Sequence, residues 1–420
     1  MTERLLQYIW QFRHFNDGAL QTAQQQPIQL IQPGIYNTNQ GPDFLNAKIK
    51  IDQTLWAGSI EIHINSSDWK AHQHSNDKNY NNVILHVVWN HDADLSLPFP
   101  TLELQHRVSN ILLNRYQELM QSQQFIPCEN HIAKIPSITF TAWKETLLAE
   151  RLQQKANYIQ QFLQKNKQHW EETFWWLLAR NFGTKINSDA FEKTAQSLPL
   201  TIIAKHKNQL QQLEALLFGQ AGLLDKEFEE DYPNMLRKEY LFFQKKYGLQ
   251  KIHIPLYFLR MRPANFPTVR LAQLAALINE SQHLFSKIKE VETIDEVEKL
   301  LKVTANDYWH YHYMPDEPTT FKKKTLGSQM IQNILINTVV PMLYAYGYFN
   351  KNEVYKNKAL QWMEQIAAEK NTISKGFQLL GVQNKTAFDS QALIQLKNEY
   401  CNCRRCLQCA IGNKILKEKE

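Results

Sequence analysis

Val83-Ile-Leu-His86-Val-Val-Trp89 constrains this chain more than any other stretch. A run with one polar member cannot alternate wet and dry faces, so it reads as a central strand covered on both sides. Such a strand needs neighbours, and the preceding sequence supplies them. Pro27-Ile-Gln-Leu-Ile31 alternates as a short strand and stops at the turn Pro33-Gly34. Ala47-Lys-Ile-Lys-Ile51 alternates again, and Asp52-Gln53 makes a hairpin turn into a third strand from Trp56 to Ile64. There Ile60, Ile62 and Ile64 face one side, Glu61 and His63 the other. Ser66 or Ser67 caps a polar helix expected to run to Tyr80. Thr101-Leu-Glu-Leu-Gln105 adds one more strand. Thr2-Glu3-Arg4-Leu5 opens a first helix with Leu5, Leu6, Ile9 and Trp10 as its apolar stripe. The order is therefore helix, three strands, helix, strand, with a further strand appended.

From Ser109 onward the periodicity is helical. The pattern predicts helices over 140–165 and 169–181, the latter ending at Gly183, and then at 186–197, 206–219, 229–247, 268–280, 293–302, 325–349, 352–370 and 386–400. The polar stretch 121–137, with Pro127 and Pro136, marks a module boundary. The expectation is an α+β chain: residues 1–125 form an α/β module, and residues 138–420 a larger all-α module ending in a cysteine cluster.

Composition narrows the class. With 43% hydrophobic and 21% charged residues the chain is globular. The N-terminus lacks the pattern of a secretory signal. The most apolar run, 331–349, is interrupted by Asn333, Asn337 and Pro341, too often to favour a membrane span there. A cytoplasmic protein without membrane association is expected; nothing indicates oligomeric state. Residues 1–130 hold 8 Lys+Arg against 12 Asp+Glu, so of the net charge of +6 the remainder carries +10. An acidic module that gathers divalent cations, joined to a basic one that attracts phosphates, suits a nucleic-acid enzyme. A well-solvated lysine-rich helical surface explains the same balance.

Asp43, after Pro42 at a strand start, and Glu61, in mid-strand, lie on neighbouring strands of one hairpin and can meet on one sheet face. Carboxylates converging on Mg²⁺ or Mn²⁺ are what metal-dependent phosphodiester hydrolysis requires. His63, two residues beyond Glu61, addresses the same side and is a candidate to orient or deprotonate water. Alternatively, Glu61 and His63 line a solvated sheet face. Lys48 and Lys50 fall on the other face if the strand is uninterrupted. Asp68 and His72 pair at i,i+4, His74 and Asp77 at i,i+3 on a different helix face. These read as local pairs on a solvated helix, with a metal or phosphate site beside Glu61 as the alternative. His86 reads as a hydrogen-bonded core histidine.

Cys401-Asn-Cys403-Arg-Arg-Cys406-Leu-Gln-Cys409 holds four of the five cysteines. Grouped thiols without a secretion signal point to metal ligation rather than disulfides. The run Cys403-x-x-Cys406-x-x-Cys409 is closer to iron–sulfur spacing than to a zinc site, with Cys401 or the distant Cys128 as fourth ligand. Zn²⁺ remains the other assignment. In the helical part, Arg262 and Arg270, with Arg260, flank a Pro-rich helix entry that Asn265 or Thr268 caps; they are candidates for phosphate contact or for fixing the loop. Asp307–Tyr313 offers rings for stacking on single strands, or for packing between helices.

The element order, Pro42-Asp43 and Glu61-Ile62-His63 resemble the PD-(D/E)XK nuclease superfamily over residues 1–105. That resemblance implies a restriction-endonuclease-like mixed sheet, a metal held by Asp43 and Glu61, and Glu3 as an accessory ligand from the first helix. His63 stands where that family usually has lysine. Some of its members clamp their ends with a cysteine-held iron–sulfur cluster. Gly41-Pro42-Asp43-Phe44, Glu61-Ile62-His63, Ser67-Asp68-Trp69, Leu178–Gly183, Arg262–Pro267 and the terminal cysteines together resemble an uncharacterised bacterial family, domain of unknown function 2851. The expectation is a Mg²⁺-dependent phosphodiesterase acting on DNA or RNA. The alternative is a non-catalytic nucleic-acid-binding or scaffold protein on the same fold.

Overall fold

A computed structural model describes residues 1–417 apart from residues 75, 76, 260 and 282. Arg260 and the last residues of the lysine-rich end lie outside the described residues. The chain divides into two units, Met1–Trp143 with Leu396–Glu420, and Lys144–Gln395. The cysteine-bearing terminal segment thus belongs with the first unit, whereas the sequence pattern assigns it to the helical module. The polar stretch 121–137 lies wholly within the first unit.

The first unit is built on a mixed sheet. Its strands are β1 (Ile28–Gln32), β2 (Ile35–Tyr36), β3 (Phe44–Ile51), β4 (Thr54–Asn65), β5 (Val83–Asn90) and β6 (Thr101–Glu103), in spatial order β1-β3-β4-β5-β6 with β2 also on β3. The hairpin pairs are antiparallel; β4–β5 and β5–β6 are parallel. Residues 83–88 of β5 are buried throughout, as the unbroken apolar run requires. β4 is equally dry from Gly58 to His63, so Glu61 and His63 sit in a covered layer rather than on a solvated face. β4 and β5 approach closely at Gly58, where a Cβ would lie 2.5 Å from Asn82 O and from Ile84 Cγ2.

The helix α1 (Glu3–Gln11) packs against β4 through Leu5, Leu6, Ile9 and Trp10, and Thr2 caps it by accepting from the Leu5 amide. The polar helix expected from Ser67 to Tyr80 is only one turn, α2 (Asp68–Ala71). It stops because Gln73 takes a left-handed backbone, φ 57°, which an α-helix cannot contain. Farther along, Lys78–Tyr80 forms a 3₁₀ turn.

β3 is not the uninterrupted strand its alternation suggests. Its register against β4 shifts by one residue between Phe44 and Ala47, at a bulge where Asn46 adopts φ 58°. Continuing the Phe44–Ile60 register sets Asp43 opposite Glu61; the register beyond the bulge would have set it opposite Ile62. The same shift moves Lys48 and Lys50 to the side of the odd-numbered β4 residues, correcting their assignment to the other face, although they pair with Ala57 and Leu55, away from Glu61.

The second unit is helical. Its elements include 170–182, 184–196, 231–247, 267–280, 294–301 and 353–365, close to the predicted spans. The helix predicted over 206–219 is Leu210–Gln220, and a further helix, Leu200–His206, precedes it. Among the described residues no helix is long and apolar enough to cross a membrane.

Candidate metal centre

Three chain segments deliver side chains to one point behind β4. β4 brings Glu61 and His63, the corner after α2 brings His72 and His74, and the start of β3 brings Asp43. Nitrogens of His63, His72 and His74 all lie within 4.8 Å of one another. His63 Nε2 is 3.1 Å from His72 Nδ1 and 3.6 Å from Glu61 Oε1; His74 Nε2 is 3.3 Å from the same oxygen. Adjacent ligands around a tetrahedral ion with metal–nitrogen bonds of about 2.0–2.1 Å are roughly 3.4 Å apart. The spacing is compatible with ligation of a common ion, and His63 Nε2 and His72 Nδ1 are also within hydrogen-bond distance. His74 Nε2 is buried without a hydrogen-bond partner although Glu61 is near, so its N–H or lone pair aims elsewhere than at the carboxylate.

His63 is fixed from behind. Its Nδ1 lies 2.8 Å from His86 Nε2, so the tautomer that donates from Nδ1 to His86 leaves Nε2 with a lone pair toward the cluster. His86 is thus the hydrogen-bonded core histidine expected of β5. Trp69 stands edge-on to His63, His74 and His86, and Tyr80 stacks on His74 with ring centroids 3.9 Å apart.

Asp43 and Glu61 are neighbours across the hairpin, joined through backbone amides. The Asp43 amide donates to Glu61 Oε2 (3.0 Å), and Asp43 Oδ2 accepts from the Ile62 amide (3.1 Å). Asp43 Oδ1 accepts from Gln7 Nε2 of α1 at 2.8 Å. Both Asp43 oxygens are therefore engaged by protein donors, and the oxygen that faces the imidazoles is Glu61 Oε1. Glu3 is close enough for its charge to act on both Asp43 and Glu61, and it senses His72 and Asp68.

Burial dominates the electrostatics of the pocket. Burial raises both Asp43 and Glu61 above the usual carboxylate range; Asp43 pushes Glu61 further, and Glu3 pushes both. Burial, reinforced by His86, His74 and His72, lowers His63 to about 2, and burial with His74 and His91 lowers His86 to about 4. Neutral imidazoles beside a buried carboxyl are a donor set that can hold a cation. Three imidazoles suit zinc or another nitrogen-preferring transition ion; Mg²⁺ prefers oxygen and water.

The remaining candidates are placed as follows. His72 and His74, expected on different faces of a solvated helix, converge because the left-handed Gln73 breaks that helix. Arg270 is buried and donates to Gln273 Oε1 (2.8 Å) and Asn265 Oδ1 (2.5 Å), so it fixes the loop rather than presenting itself to phosphate; Arg262 is exposed. Neither Asn265 nor Thr268 caps the helix, whose entry is set by Pro267. Trp309 is buried and Tyr308 stacks on Tyr232 and His312, which is packing between helices. Cys403 is exposed and apart from the other terminal cysteines, which lie with Cys128 instead.

Residues 3–372 match the family described as Protein of unknown function (DUF2851). The chain belongs to this family. The DUF2851 match contains every member of the His–Glu cluster and ends before Cys401. No curated protein and no solved structure matches the chain.

Proposed function

We propose that this DUF2851 protein is a metal-dependent hydrolase that cleaves phosphodiester bonds of nucleic acid. The observation that carries the proposal is the convergence of Glu61, His63, His72 and His74 from separate segments at ligand-like spacing. The three histidines would hold the ion, a ligand set that suits zinc. When bound, the ion would polarise a phosphoryl oxygen and make a coordinated water acidic. Glu61, beside two of the three candidate ligand nitrogens, would take the proton from the attacking water once a bound cation offsets the burial that keeps its carboxyl protonated. Asp43, Gln7 and Glu3 hold Glu61 and set its proton affinity, and His86 orients His63. The imidazole-rich set replaces Mg²⁺ on Asp43 and Glu61 with a zinc-class ion, and His63 changes from base to ligand.

The substrate class rests on what adjoins the ion site. A cleft of about 510 Å³ runs from His74 between Trp56, Trp69, Tyr80 and Phe99, with Asn81 and Asn82 at its side. Aromatic walls with amide groups beside a phosphate-directed ion suit an unstacked base. The succession of helix, antiparallel strands, helical turn and parallel strand supports a nuclease-like core.

The test is hydrolysis of single-stranded DNA and RNA oligonucleotides by the full chain with Zn²⁺, Mn²⁺ or Mg²⁺. Wild type is expected to cleave with a transition ion. His72→Ala and His74→Ala should lose both bound metal and cleavage. Glu61→Gln should keep metal and lose roughly 10²–10⁴-fold in rate. Cleavage persisting in both histidine variants would overturn the assignment.

A further inference from the structure

The five cysteines are all free, and the fold sorts them. Cys128, Cys401, Cys406 and Cys409 are buried and border one small enclosed space with Pro127, Tyr400 and Gly412. Cys403 points away, its Sγ 3.4 Å from Asn398 O. Dropping Cys403 and admitting Cys128 changes the pattern from two x₂ intervals to Cys401-x₄-Cys406-x₂-Cys409 with a remote fourth cysteine. That is the spacing of plant-type iron–sulfur ligand runs.

The backbone is shaped around these sulfurs. The helix beginning at Ala387 widens into a π-turn over Leu396–Cys401, and Arg404 then takes a left-handed conformation, φ 52°. This re-aims the chain between Cys401 and Cys406 while Cys403 stays on the outside of the bend. The helix Ala410–Lys417 starts directly after Cys409, and the amides of Ile411 and Gly412 donate to the Cys409 sulfur. Amides aimed at sulfur stabilise a ligating thiolate. Gly412 admits no side chain, since a Cβ there would lie 2.2 Å from Cys406 O. Arg404 donates to Ser122 O and Lys397 to Phe125 O, which ties the loop carrying Cys128 to the terminal segment. Both cations also act electrostatically on the thiols, Arg404 on Cys406 and Lys397 on Cys401.

Four buried thiols around one space can hold a single Zn²⁺ or a cluster. The Cys401-x₄-Cys406-x₂-Cys409 spacing is that of a cluster run. We propose that Cys128, Cys401, Cys406 and Cys409 ligate an iron–sulfur cluster that staples the C-terminal segment to the end of the α/β unit. Each thiol gives up its proton to solvent on ligation, and no change of oxidation state is required. Cys403 takes no part. The site is independent of the His–Glu centre.

The test is iron, acid-labile sulfide and zinc content of the full chain purified without oxygen, before and after reconstitution with ferrous iron and sulfide. Iron and sulfide in comparable amounts, with visible charge-transfer absorption, are expected in wild type, Cys403→Ser and His72→Ala. Cys128→Ser and Cys406→Ser should lose most of the iron and the colour. Stoichiometric zinc without sulfide would overturn the proposal, as would failure of wild type to take up iron and sulfide on reconstitution. Equal iron loss in Cys403→Ser and Cys128→Ser would overturn the ligand assignment. Because His72→Ala empties only the other site, the two proposals fail separately.

Discussion

The backbone amide of Asp43 donates to Oε2 of Glu61 at 3.0 Å, and the Asp43 carboxylate returns the contact by accepting from the amide next to Glu61, that of Ile62. The bulge at Asn46 makes this reciprocity possible by shifting the register by one residue between Phe44 and Ala47. Asp43 is thus a brace that fixes Glu61, so its removal should be felt in stability. Asp43→Ala leaves the Ile62 N–H unpaired in a dry layer, at a cost of about 1–3 kcal/mol. Asp43→Asn keeps an acceptor and should recover most of that loss. Urea midpoints with unchanged slope measure it; equal losses in the two variants would count against the hydrogen-bond account.

His86 tests the second layer. Its Nε2 lies 2.8 Å from His63 Nδ1, and it does not belong to the group of convergent ligand nitrogens. His86→Phe fills the volume but cannot accept that hydrogen bond. Outer-layer partners of this kind are worth about 10–100-fold in metal affinity. Competition titration with Zn²⁺ should show that loss, while His86→Gln, which retains an acceptor, recovers part of it. Unchanged affinity in His86→Phe would reduce His86 to packing.

The sheet was legible because its signals are local. Alternation in 47–51 and 56–64, and its absence in 83–89, set strand identity, burial and the central place of β5. The meeting of Asp43 with Glu61 follows from the hairpin, although the bulge that aligns them has no local cue beyond an asparagine tolerant of left-handed backbone. His72 and His74 were hidden by a different failure. Their polar surroundings fit a helix, in which two residues differ by about 200° in direction and cannot share a ligand. One left-handed residue, Gln73, undoes that helix, and glutamine gives no warning of it. Cys128 was visible only as an unassigned alternative, because pairing over more than 270 residues is set by tertiary packing and not by spacing.

Trp56 gives the substrate cleft a direct test. It is 44% exposed, walls the cleft that ends at His74, and is not among the ion's candidate ligands. If a base stacks there, Trp56→Ala removes about 1–3 kcal/mol of ground-state binding. The expected result is a rise of roughly 5- to 100-fold in KM for a single-stranded oligonucleotide, with kcat little changed. A fall in kcat at constant KM would place the base elsewhere.

Glu214 in the helical unit sets a pH dependence separate from either metal site. Its Oε2 accepts from Tyr232 Oη (2.7 Å) and Trp309 Nε1 (3.1 Å), while Oε1 is buried without a partner. Burial outweighs those two hydrogen bonds and raises the carboxyl to about 7 from its ordinary 4.5. Between those values the folded chain holds a proton that the unfolded chain has released. The contribution is therefore fully present below about pH 4.5 and is lost as pH rises through about 7, on the order of 3 kcal/mol in all. Glu214→Gln keeps an acceptor for both donors and never ionises. Its stability, followed by urea unfolding from pH 5 to pH 8, should fall less steeply with pH than wild type, and the gap between the two should widen in its favour toward pH 8. Parallel curves would mean that Glu214 is already ionised in the folded chain at pH 5, its charge stabilised by those two hydrogen bonds.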